Sequence, residues 1–550
     1  MNMHDTTTEP TEVLAGPGRH CFILLMLLVV LFSVWVRWRL LQVPLERDEG
    51  EFAYMAQHLL QGVPPYRDAL TMKWPGTSGM YALSMLMFGQ TTVAIHLGLL
   101  LVNLASSLLL WLLARRLFCF AGACAAVAAF SLLSVSQGVA GVFAHATHFV
   151  VLFVLAGICL LQRFDERDRS WLLFAAGLCF GLAILMKQHA ALVALLACAY
   201  LWRQMAHRAV GDLPARLFAL LMFAGGVALP VVLLFSGMAS VGLFETFWFW
   251  TVEYASNYAG RLTLAEGMKV FAARLPLLLA VQWPWWLLAA FGALALMFKP
   301  QLCRNRLLLS TLLLGSVLAV CPGFYFRNHY FVLPLPAVAL LVGASAAAVS
   351  RWWIESGRPF RTSILLSLLP VLLAVLLSLW LERSYLLQLS PDLVSRQLYD
   401  VNPFPESVEV ARYLRENTSP GEKIAILGSE PQLYFYADRP AASRHLYMYG
   451  LMETHPHAEA MQREVISEIE AARPGFIVFV NVPTSWLVNP RSVQLLFAWA
   501  DRYLATYYRL IGRVDIGSDR TDYSFADQPG DLEGSMTAGL LIYRRDSDRR

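Results

Sequence analysis

The sequence has little charge for its length. Only 15% of its 550 residues are Asp, Glu, Lys or Arg, whereas 57% are hydrophobic. A soluble protein of this size carries about 25% charged residues. The deficit therefore excludes an ordinary soluble protein and predicts an integral membrane protein. The net charge of +4 is small, and the sequence has no basic stripe or RNA-type motif, which argues against nucleic-acid binding.

Cysteine is absent where a disulfide-stabilised domain would need it. All eight cysteines lie between Cys21 and Cys321, in or beside apolar segments, so a disulfide within the long C-terminal tail (residues 382–550) is excluded. No cysteine pair has metal-ligand spacing with histidines. We interpret the cysteines as small apolar core residues.

Long apolar runs are abundant. A run of about 20 residues is enough to cross the ~30 Å hydrocarbon core as a helix. Eleven runs of about this kind predict about 11 transmembrane helices, at 21–41, 92–113, 118–137, 143–161, 171–186, 189–202, 217–236, 276–298, 307–321, 330–349 and 362–381. The first is too long for a signal peptide and is predicted to be retained. A further piece, 78–88, is too short to span and is predicted to re-enter or lie at the interface.

The distribution of Lys and Arg predicts the orientation of the chain. These residues are concentrated in the short loops on the side of the N-terminus, which is therefore expected to be cytoplasmic. Loops 45–91 and 237–275 and the tail then face outside. The predicted organisation is a cytoplasmic N-terminal tail (1–20), a transmembrane domain (21–381) and a periplasmic domain (382–550), in the inner membrane of a bacterium.

The composition of the tail is that of a soluble domain. Helices at 405–417 and 458–472 alternate with apolar strands at 423–427 and 476–480, which predicts a small α/β layer structure. Loop 237–275 is rich in Trp, Phe and Tyr. We interpret it as an aromatic belt at the membrane interface, with a lid or a sugar-stacking surface as the alternative.

An acidic cluster, Arg47-Asp48-Glu49-Gly50-Glu51, follows the first apolar run. Carboxylates at a membrane edge are costly to desolvate, so they usually mark a site for chemistry, ions or substrate. Helical spacing places Asp48, Glu51 and Phe52 on one face and turns Glu49 away from it. Closely spaced acids also repel each other, and a divalent cation held by Asp48 and Glu49 is one way to relieve this.

The loops also supply cations that suit the departure of a phosphate. Asp48 or Glu49 is able to accept a proton from an attacking hydroxyl, while Lys73, Arg327 and His329 are able to neutralise a leaving phosphate. A carboxylate base beside such cations points to sugar transfer from a phosphorylated lipid.

Each candidate residue also has a structural interpretation. The alternatives are an acid pair that complements a helix dipole (Asp48, Glu49), a snorkelling lysine (Lys73), a turn cap (Asp68), a membrane-boundary marker (Lys187 with His189) and an interfacial anchor (Arg327 with Tyr330).

Three sequence motifs resemble one family of membrane enzymes. The first is Asp48-Glu49-Gly50-Glu51-Phe52-Ala53-Tyr54, continued by Pro64-Pro65-Tyr66-Arg67-Asp68 and Lys73-Trp74-Pro75-Gly76; the others are 181–188 and 329–336. Together they resemble the lipid-phosphate-sugar-dependent glycosyltransferases of the C-type (GT-C) superfamily. The similarity is greatest to the protein O-mannosyltransferase-like and lipid A aminoarabinose transferase families.

The resemblance implies a role for each matching residue. Asp48 corresponds to the family's catalytic Asp, and Glu49 to the neighbouring acid of the mannosyltransferase branch. Residues expected near the donor phosphate are Arg67, Asp68, Lys73, Lys187, Arg327, His329 and Tyr330. The expected donor is a polyprenyl-phosphate sugar, and a divalent metal ion is left open.

The resulting expectation is a membrane glycosyltransferase. It would pass a hexosyl or pentosyl group to a glycan, lipid or protein on the periplasmic face, with inversion by a single in-line displacement. Two other classes remain as alternatives: a transporter or flippase of lipid-linked sugars, and a non-catalytic assembly subunit. Transporters place ionisable residues near the bilayer midplane, often in paired repeats. No such repeat is visible in this sequence.

Overall fold

The computed structural model describes residues 17–208, 212–298, 306–356, 360–517, 520–525 and 536–546. Most of the predicted N-terminal tail, residues 1–16, lies outside this set. The chain divides into two compact units. The first comprises residues up to Leu40, 99–236 and 259–388, and the second comprises 41–98, 237–258 and 389–550.

The first unit is built from apolar helices. Their bounds are α1 (Pro17–Arg39), α4 (Thr92–Leu117, which begins in the second unit), α5 (Phe120–Leu133), α6 (Ala146–Arg167), α7 (Trp171–Met186), α8 (Ala190–Arg208), α9 (Leu213–Ser240), α12 (Leu264–Phe298), α13 (Arg306–Val320), α14 (Leu335–Glu355) and α15 (Phe360–Leu381). Helices suit such sequences because lipid offers no partner to backbone N–H and C=O groups, so each segment must satisfy its own.

Each of the eleven apolar runs coincides with one of these helices. Within the described part of the chain, six are long and apolar enough to cross a membrane: α1, α4, α6, α9, α12 and α14. The protein is therefore a multi-pass membrane protein, while the figure of eleven spans stays a prediction. Helix α12 begins at Leu264, earlier than the predicted start near 276. The prediction began too late because the charged residues Glu266, Lys269 and Arg274 in the first turns are typical of a loop.

Glycines bring two of the central helices into close contact. A Cβ atom on Gly122 of α5 would lie 2.6 Å from the carbonyl oxygen of Gly343 of α14, and the converse distance is also 2.6 Å. Small residues at such crossings let helix backbones approach where lipid provides no hydrophobic drive for association.

The second unit contains short helices and one sheet. Its helices are α2 (Arg47–Leu60), α3 (Gly76–Phe88), α10 (Phe244–Trp248), α11 (Ala255–Ala259), α16 (Pro391–Tyr399), α17 (Phe404–Glu416), α18 (Gln432–Ala437), α19 (Ala458–Ala472), α20 (Pro483–Trp486) and α21 (Leu495–Tyr507). The strands are β1 (Ile424–Leu427), β2 (Phe476–Asn481), β3 (Tyr508–Ile516), β4 (Thr521–Phe525) and β5 (Gly539–Arg545). The 78–88 piece is α3, which with 13 residues is too short to span.

The sheet has the strand order β1-β2-β5-β3-β4. Strands β1 and β2 are parallel, with Ile424 opposite Phe476, and the other pairs are antiparallel. The four predicted tail elements match α17, β1, α19 and β2. The antiparallel strands β3, β4 and β5 were not predicted.

The aromatic loop contributes to the core of the second unit. Trp250 and Tyr254 are buried among apolar side chains of the tail, including Leu451 and Trp499. The Tyr254 hydroxyl donates to Glu453 Oε2 at 2.7 Å. The interpretation of these two rings as an interfacial belt was therefore wrong, because density of Trp and Tyr does not distinguish a belt from a buried contact.

Helix α2 packs closely on α18 through Gly50. A Cβ atom at Gly50 would lie 2.5 Å from the backbone nitrogen of Gln432 and 2.6 Å from its Cβ. Gln432 is itself fully buried and donates to Ser407 Oγ and Glu430 Oε2. No side chain fits between the two helices without moving one of them.

This contact predicts that Gly50→Ala destabilises the protein by about 1–3 kcal/mol, the usual cost of overpacking a core. Thermal unfolding of the detergent-solubilised protein measures the effect. Gly79→Ala is the matched control, because Gly79 is also helical and a Cβ there meets nothing within 4 Å. Equal stability of the two variants would contradict the packing described.

Candidate active site

Helix α2 begins with a capping box that uses Glu49. The Glu46 carboxylate accepts from the Glu49 backbone N–H at 2.9 Å, and Glu49 Oε2 accepts from the Glu46 N–H at 3.2 Å. Such reciprocal contacts satisfy backbone donors that the first turn of a helix leaves unpaired. They fix the start of α2 at Arg47 and so fix where the next carboxylates point.

The other oxygen of Glu49 contacts a buried histidine. Glu49 Oε1 lies 3.1 Å from His96 Nε2, and His96 Nδ1 lies 2.9 Å from the Leu41 carbonyl oxygen. Both His96 nitrogens face oxygen atoms, which fixes the orientation of the ring. Glu49 is fully buried, and these contacts suit a residue that holds α2 in place.

Asp48 and Glu51 converge on Lys73, and these three residues form what we call the Lys73 cluster. Lys73 Nζ donates to Asp48 Oδ1 at 2.6 Å and also to Glu51 Oε2. It lies 4.6 Å from the centroid of the Phe52 ring, within the range of a cation–π contact. The predicted face of α2 is thus the one that meets the lysine, and Glu49 is turned away from it.

The three members of the cluster differ in burial. The Glu51 side chain is fully buried, whereas those of Lys73 and Asp48 are 23% and 28% exposed. Among the described residues, Glu51 Oε1 has no hydrogen-bond partner. An isolated buried carboxylate is very costly, so Lys73 is needed to neutralise Glu51, while Asp48 remains accessible for chemistry.

The lysine remains charged in this setting. Burial by itself lowers the pKa of Lys73, but Asp48 and then Glu51 raise it, and the net result lies above the ordinary lysine value. A raised pKa means that the stabilisation is fully present below the unfolded-state value of about 10.4 and is lost only at more alkaline pH. The cluster is therefore intact at neutral pH.

The loop that carries Lys73 is held by local hydrogen bonds. The Tyr66 hydroxyl donates to the Lys73 carbonyl at 2.8 Å, and the Lys73 N–H donates to Thr71 Oγ1 at 3.1 Å. Arg67 and Asp68, predicted to lie near the donor phosphate, are both exposed, and neither side chain joins the Lys73 cluster.

Arg47 connects the start of α2 to the tail. Its guanidinium donates to the Ser429 carbonyl oxygen, to Asn402 Oδ1 and to the buried Glu430 carboxylate. Burial lowers the pKa of Arg47, but Glu430 raises it, with a net upward shift. The residue next to Asp48 is thus fixed to the turn that follows β1.

The remaining predicted residues, Lys187, Arg327, His329 and Tyr330, belong to the first unit. Three of them lie together with His189 in a group that we call the Lys187 cluster: Lys187, His189, His329 and Tyr330. Lys187 Nζ lies 3.9 Å from the centroid of the Tyr330 ring. His189 meets the same ring edge-on at 5.6 Å, and His329 meets it at 4.9 Å. Residues from two separate segments, 187–189 and 329–330, are therefore brought together around Tyr330.

Lys187 is the charged member of this group. His189 Nδ1 lies 3.1 Å from the Ala319 carbonyl oxygen. The His329 ring stacks on His145 at 3.9 Å. Arg327 is exposed, with its guanidinium 5.9 Å from the Tyr325 ring. A lysine held over an aromatic ring is suited to pair with an anionic phosphate group.

The arrangement does not fit a metal ion shared by Asp48 and Glu49. Asp48 Oδ1 faces the Lys73 ammonium, whereas both Glu49 oxygens face Glu46 and His96. Hard divalent cations require several oxygen ligands directed at one point, and these two side chains are directed at different partners.

Sequence reasoning missed two polar contacts of the acidic segment. His96 lies in the first turns of an apolar helix, where it looks like an isolated core histidine. Tyr447 approaches the Lys73 cluster from the tail, with its hydroxyl 3.2 Å from Lys73 Nζ. A sequence separation of 374 residues leaves no local signal for this contact.

Comparison with known proteins confirms the resemblance to GT-C glycosyltransferases. Residues 73–234 match the family model described as dolichyl-phosphate-mannose-protein mannosyltransferase. The match begins at Lys73 and does not include Asp48. No curated protein matches the chain.

Solved structures show a similar fold over nearly the whole chain. ArnT from Cupriavidus metallidurans bound to undecaprenyl phosphate aligns with a TM-score of 0.55 at 14% identity, covering 95% of this chain and 98% of ArnT. Its apo state aligns with a TM-score of 0.56 at 16% identity and the same coverage. The oligosaccharyltransferase AglB from Archaeoglobus fulgidus, in complex with an inhibitory peptide and a dolichol-phosphate, aligns with a TM-score of 0.52 at 12% identity, covering 92% and 74%.

The Lys73 cluster predicts a specific pattern of stability. Lys73→Met leaves Glu51 buried without a cation and should reduce the free energy of unfolding by about 3 kcal/mol. The double variant Lys73→Met/Glu51→Gln removes that uncompensated charge and should recover more than half of the loss.

Denaturant unfolding of the single and double variants gives this comparison. Lys423→Met, at an exposed lysine in the tail, is the control and should be neutral. Strictly additive losses in the double variant would show that Lys73 does not serve to neutralise Glu51.

Proposed function

We propose that the chain is a glycosyltransferase that moves a sugar from a polyprenyl-phosphate carrier to an acceptor hydroxyl. The observation that carries the proposal is Asp48, a partly exposed carboxylate held 2.6 Å from a charged lysine at the start of a helix. The matching family model and the lipid phosphates bound in the two similar structures support this choice of donor.

The proposed chemistry is a single displacement. The acceptor oxygen attacks the anomeric carbon as its proton passes to the Asp48 carboxylate, and the bond from that carbon to the phosphate oxygen breaks. The electron pair of this bond leaves on the polyprenyl phosphate. One displacement inverts the anomeric configuration, and the group moved is a hexosyl or pentosyl unit.

Phosphate binding is assigned to the Lys187 cluster because of the cations that it contains or adjoins. Lys187 is a compact cation held over the Tyr330 ring, and the exposed Arg327 is in the segment that leads to His329. Charge-assisted contacts of this kind stabilise a phosphate both before and after it leaves. Arg67 and Asp68, in the loop that carries Lys73, remain proposed donor contacts.

Glu49 has a supporting task in this proposal. Its oxygens are directed at the Glu46 N–H and His96, which holds the turn that carries Asp48. A second catalytic acid at this position stays a prediction.

The location that we propose is the one predicted from the sequence. The reaction would take place at the periplasmic face of a bacterial inner membrane, with the N-terminus cytoplasmic and the tail periplasmic. The acceptor would be a glycan, a lipid or a protein.

The central prediction concerns Asp48→Asn. Loss of a general base costs about 10²–10⁴-fold in rate, so transfer of label from a panel of radiolabelled polyprenyl-phosphate sugars should fall by that factor in reconstituted membranes. Asp522→Asn is the control, because Asp522 is an exposed aspartate paired with Arg520. Transfer by Asp48→Asn at the wild-type rate would show that Asp48 is not the base.

A separate prediction concerns binding. Lys187→Met should weaken the binding of polyprenyl phosphate by about 10-fold or more, the value of one hydrogen bond to a charged group. Competition against a fluorescent lipid phosphate in detergent measures the dissociation constant. Lys269→Met, at an exposed lysine of α12, should bind as the wild type does. Equal dissociation constants for all three proteins would reject the assignment of Lys187.

A further inference from the structure

Tyr447 is a residue of the tail whose hydroxyl reaches the Lys73 cluster. The hydroxyl oxygen lies 3.2 Å from Asp48 Oδ1, 3.2 Å from Lys73 Nζ and 3.2 Å from the Arg47 carbonyl oxygen. The Lys73 ammonium also lies 5.3 Å from the centroid of the Tyr447 ring. Tyr447 is therefore the one described tail residue whose side chain hydrogen-bonds to both Asp48 and Lys73.

The backbone around Tyr447 is fixed by a buried serine. The Met448 and Tyr449 N–H groups both donate to Ser429 Oγ, at 2.8 Å and 3.1 Å. Ser429 Oγ in turn donates to the Ser485 carbonyl oxygen at 2.6 Å. The Tyr447 ring packs against Tyr449, with the ring centroids 4.9 Å apart. These contacts leave the phenol little freedom to move away from Asp48.

The number of protons on Lys73 and Tyr447 determines which groups the Tyr447 hydroxyl is able to donate to. A lysine ammonium has three protons and accepts none, so Lys73 donates to Asp48, Glu51 and the Tyr447 oxygen. The single phenol proton is then available for Asp48 Oδ1 or the Arg47 carbonyl. Burial, and then Glu51 and Asp48, raise the pKa of Tyr447 above its ordinary value, so that the proton is present at neutral pH.

Two side chains that are able to donate approach one oxygen of Asp48. Lys73 donates to Oδ1, and the Tyr447 hydroxyl lies 3.2 Å from it. When the phenol proton is directed at Oδ1, the carboxylate cannot rotate about its Cβ–Cγ bond without breaking both hydrogen bonds. Donors to a carboxylate also stabilise its charged form. A base must hold both its charge and its direction toward the proton that it accepts.

We propose that Tyr447 is a positioning residue that fixes the orientation of the Asp48 carboxylate through a hydrogen bond from its hydroxyl. This inference rests on the proposed function for the role of Asp48 as base. It assigns to the tail a direct contribution to the site of chemistry. The alternative is that the phenol ring only fills space beside Lys73.

Tyr447→Phe separates these possibilities, because it removes the hydroxyl and retains the ring over Lys73. The variant should lower kcat by about 10-fold or more, since small misplacements of a reacting group carry large rate costs. The KM for the lipid-linked donor should stay within about two-fold of the wild type, because the hydroxyl makes no assigned contact with the donor phosphate. Tyr523→Phe, at an exposed tyrosine of β4, removes a phenol hydroxyl outside the cluster and should have unchanged kcat.

A second measurement needs no substrate. The infrared carboxylate band of Asp48 is assigned from the difference between wild type and Asp48→Asn. This band should shift in Tyr447→Phe, because a hydrogen bond to Oδ1 is lost, and should not shift in Tyr523→Phe. Thermal unfolding of all variants verifies that each is folded.

The outcomes distinguish a failure of the proposed function from a failure of the inference about Tyr447. If the wild type transfers no sugar but the Asp48 band shifts in Tyr447→Phe, the proposed function fails while the positioning contact stands. If the wild type is active and Tyr447→Phe keeps both kcat and the band position, the inference about Tyr447 is overturned and the proposed function stands. A drop in kcat with an unmoved band would also overturn it, because the effect would then not pass through Asp48.

Discussion

The structure around the candidate site depends on one constraint, the neutralisation of the buried Glu51 carboxylate by Lys73. Glu51 is fully enclosed, and a buried charge without a partner is among the most costly features that a fold can contain. Lys73 must therefore be brought to the same face of α2. Asp48, one turn earlier on that face, is then placed beside a fixed positive charge while remaining partly exposed. The need to stabilise one acid determines the electrostatic surroundings of the other.

The residues of α2 that are directed away from Lys73 hold Asp48 and Glu51 in position. Glu49 closes the capping box and meets His96, Arg47 is anchored at Ser429 and Glu430, and Gly50 lies against Gln432. Each of these residues is adjacent in sequence to Asp48 or Glu51 and is directed to a different partner. A short acidic stretch thus combines the proposed base with the residues that hold it in place. This explains why four acids in six residues, Glu46 to Glu51, are compatible with a folded helix.

The sequence was sufficient for some of these features and insufficient for others. The length of the apolar runs placed the apolar helices, and the 3.6-residue repeat identified the face shared by Asp48, Glu51 and Phe52, because both depend on neighbouring residues. The contact of Tyr447 with Asp48 depends on a fold that brings together residues 399 positions apart, so no local pattern reveals it. Strand β5 was missed for a related reason, because it pairs with β2 far away in the sequence. Strands β3 and β4 pair locally, with Ile516 opposite Thr521, and their alternation was overlooked. The burial of Trp250 was missed because an aromatic residue suits a core as well as a membrane interface.

The central claim is that the protein breaks the bond between a sugar and a polyprenyl phosphate. Its most direct test is the stoichiometry of products in proteoliposomes that contain the wild-type protein, a labelled polyprenyl-phosphate sugar and a membrane extract as the source of acceptor. The account predicts one free polyprenyl phosphate for each sugar recovered on an acceptor. Recovery of the intact lipid-linked sugar on the opposite leaflet, with no free polyprenyl phosphate formed, would contradict it and identify a transporter.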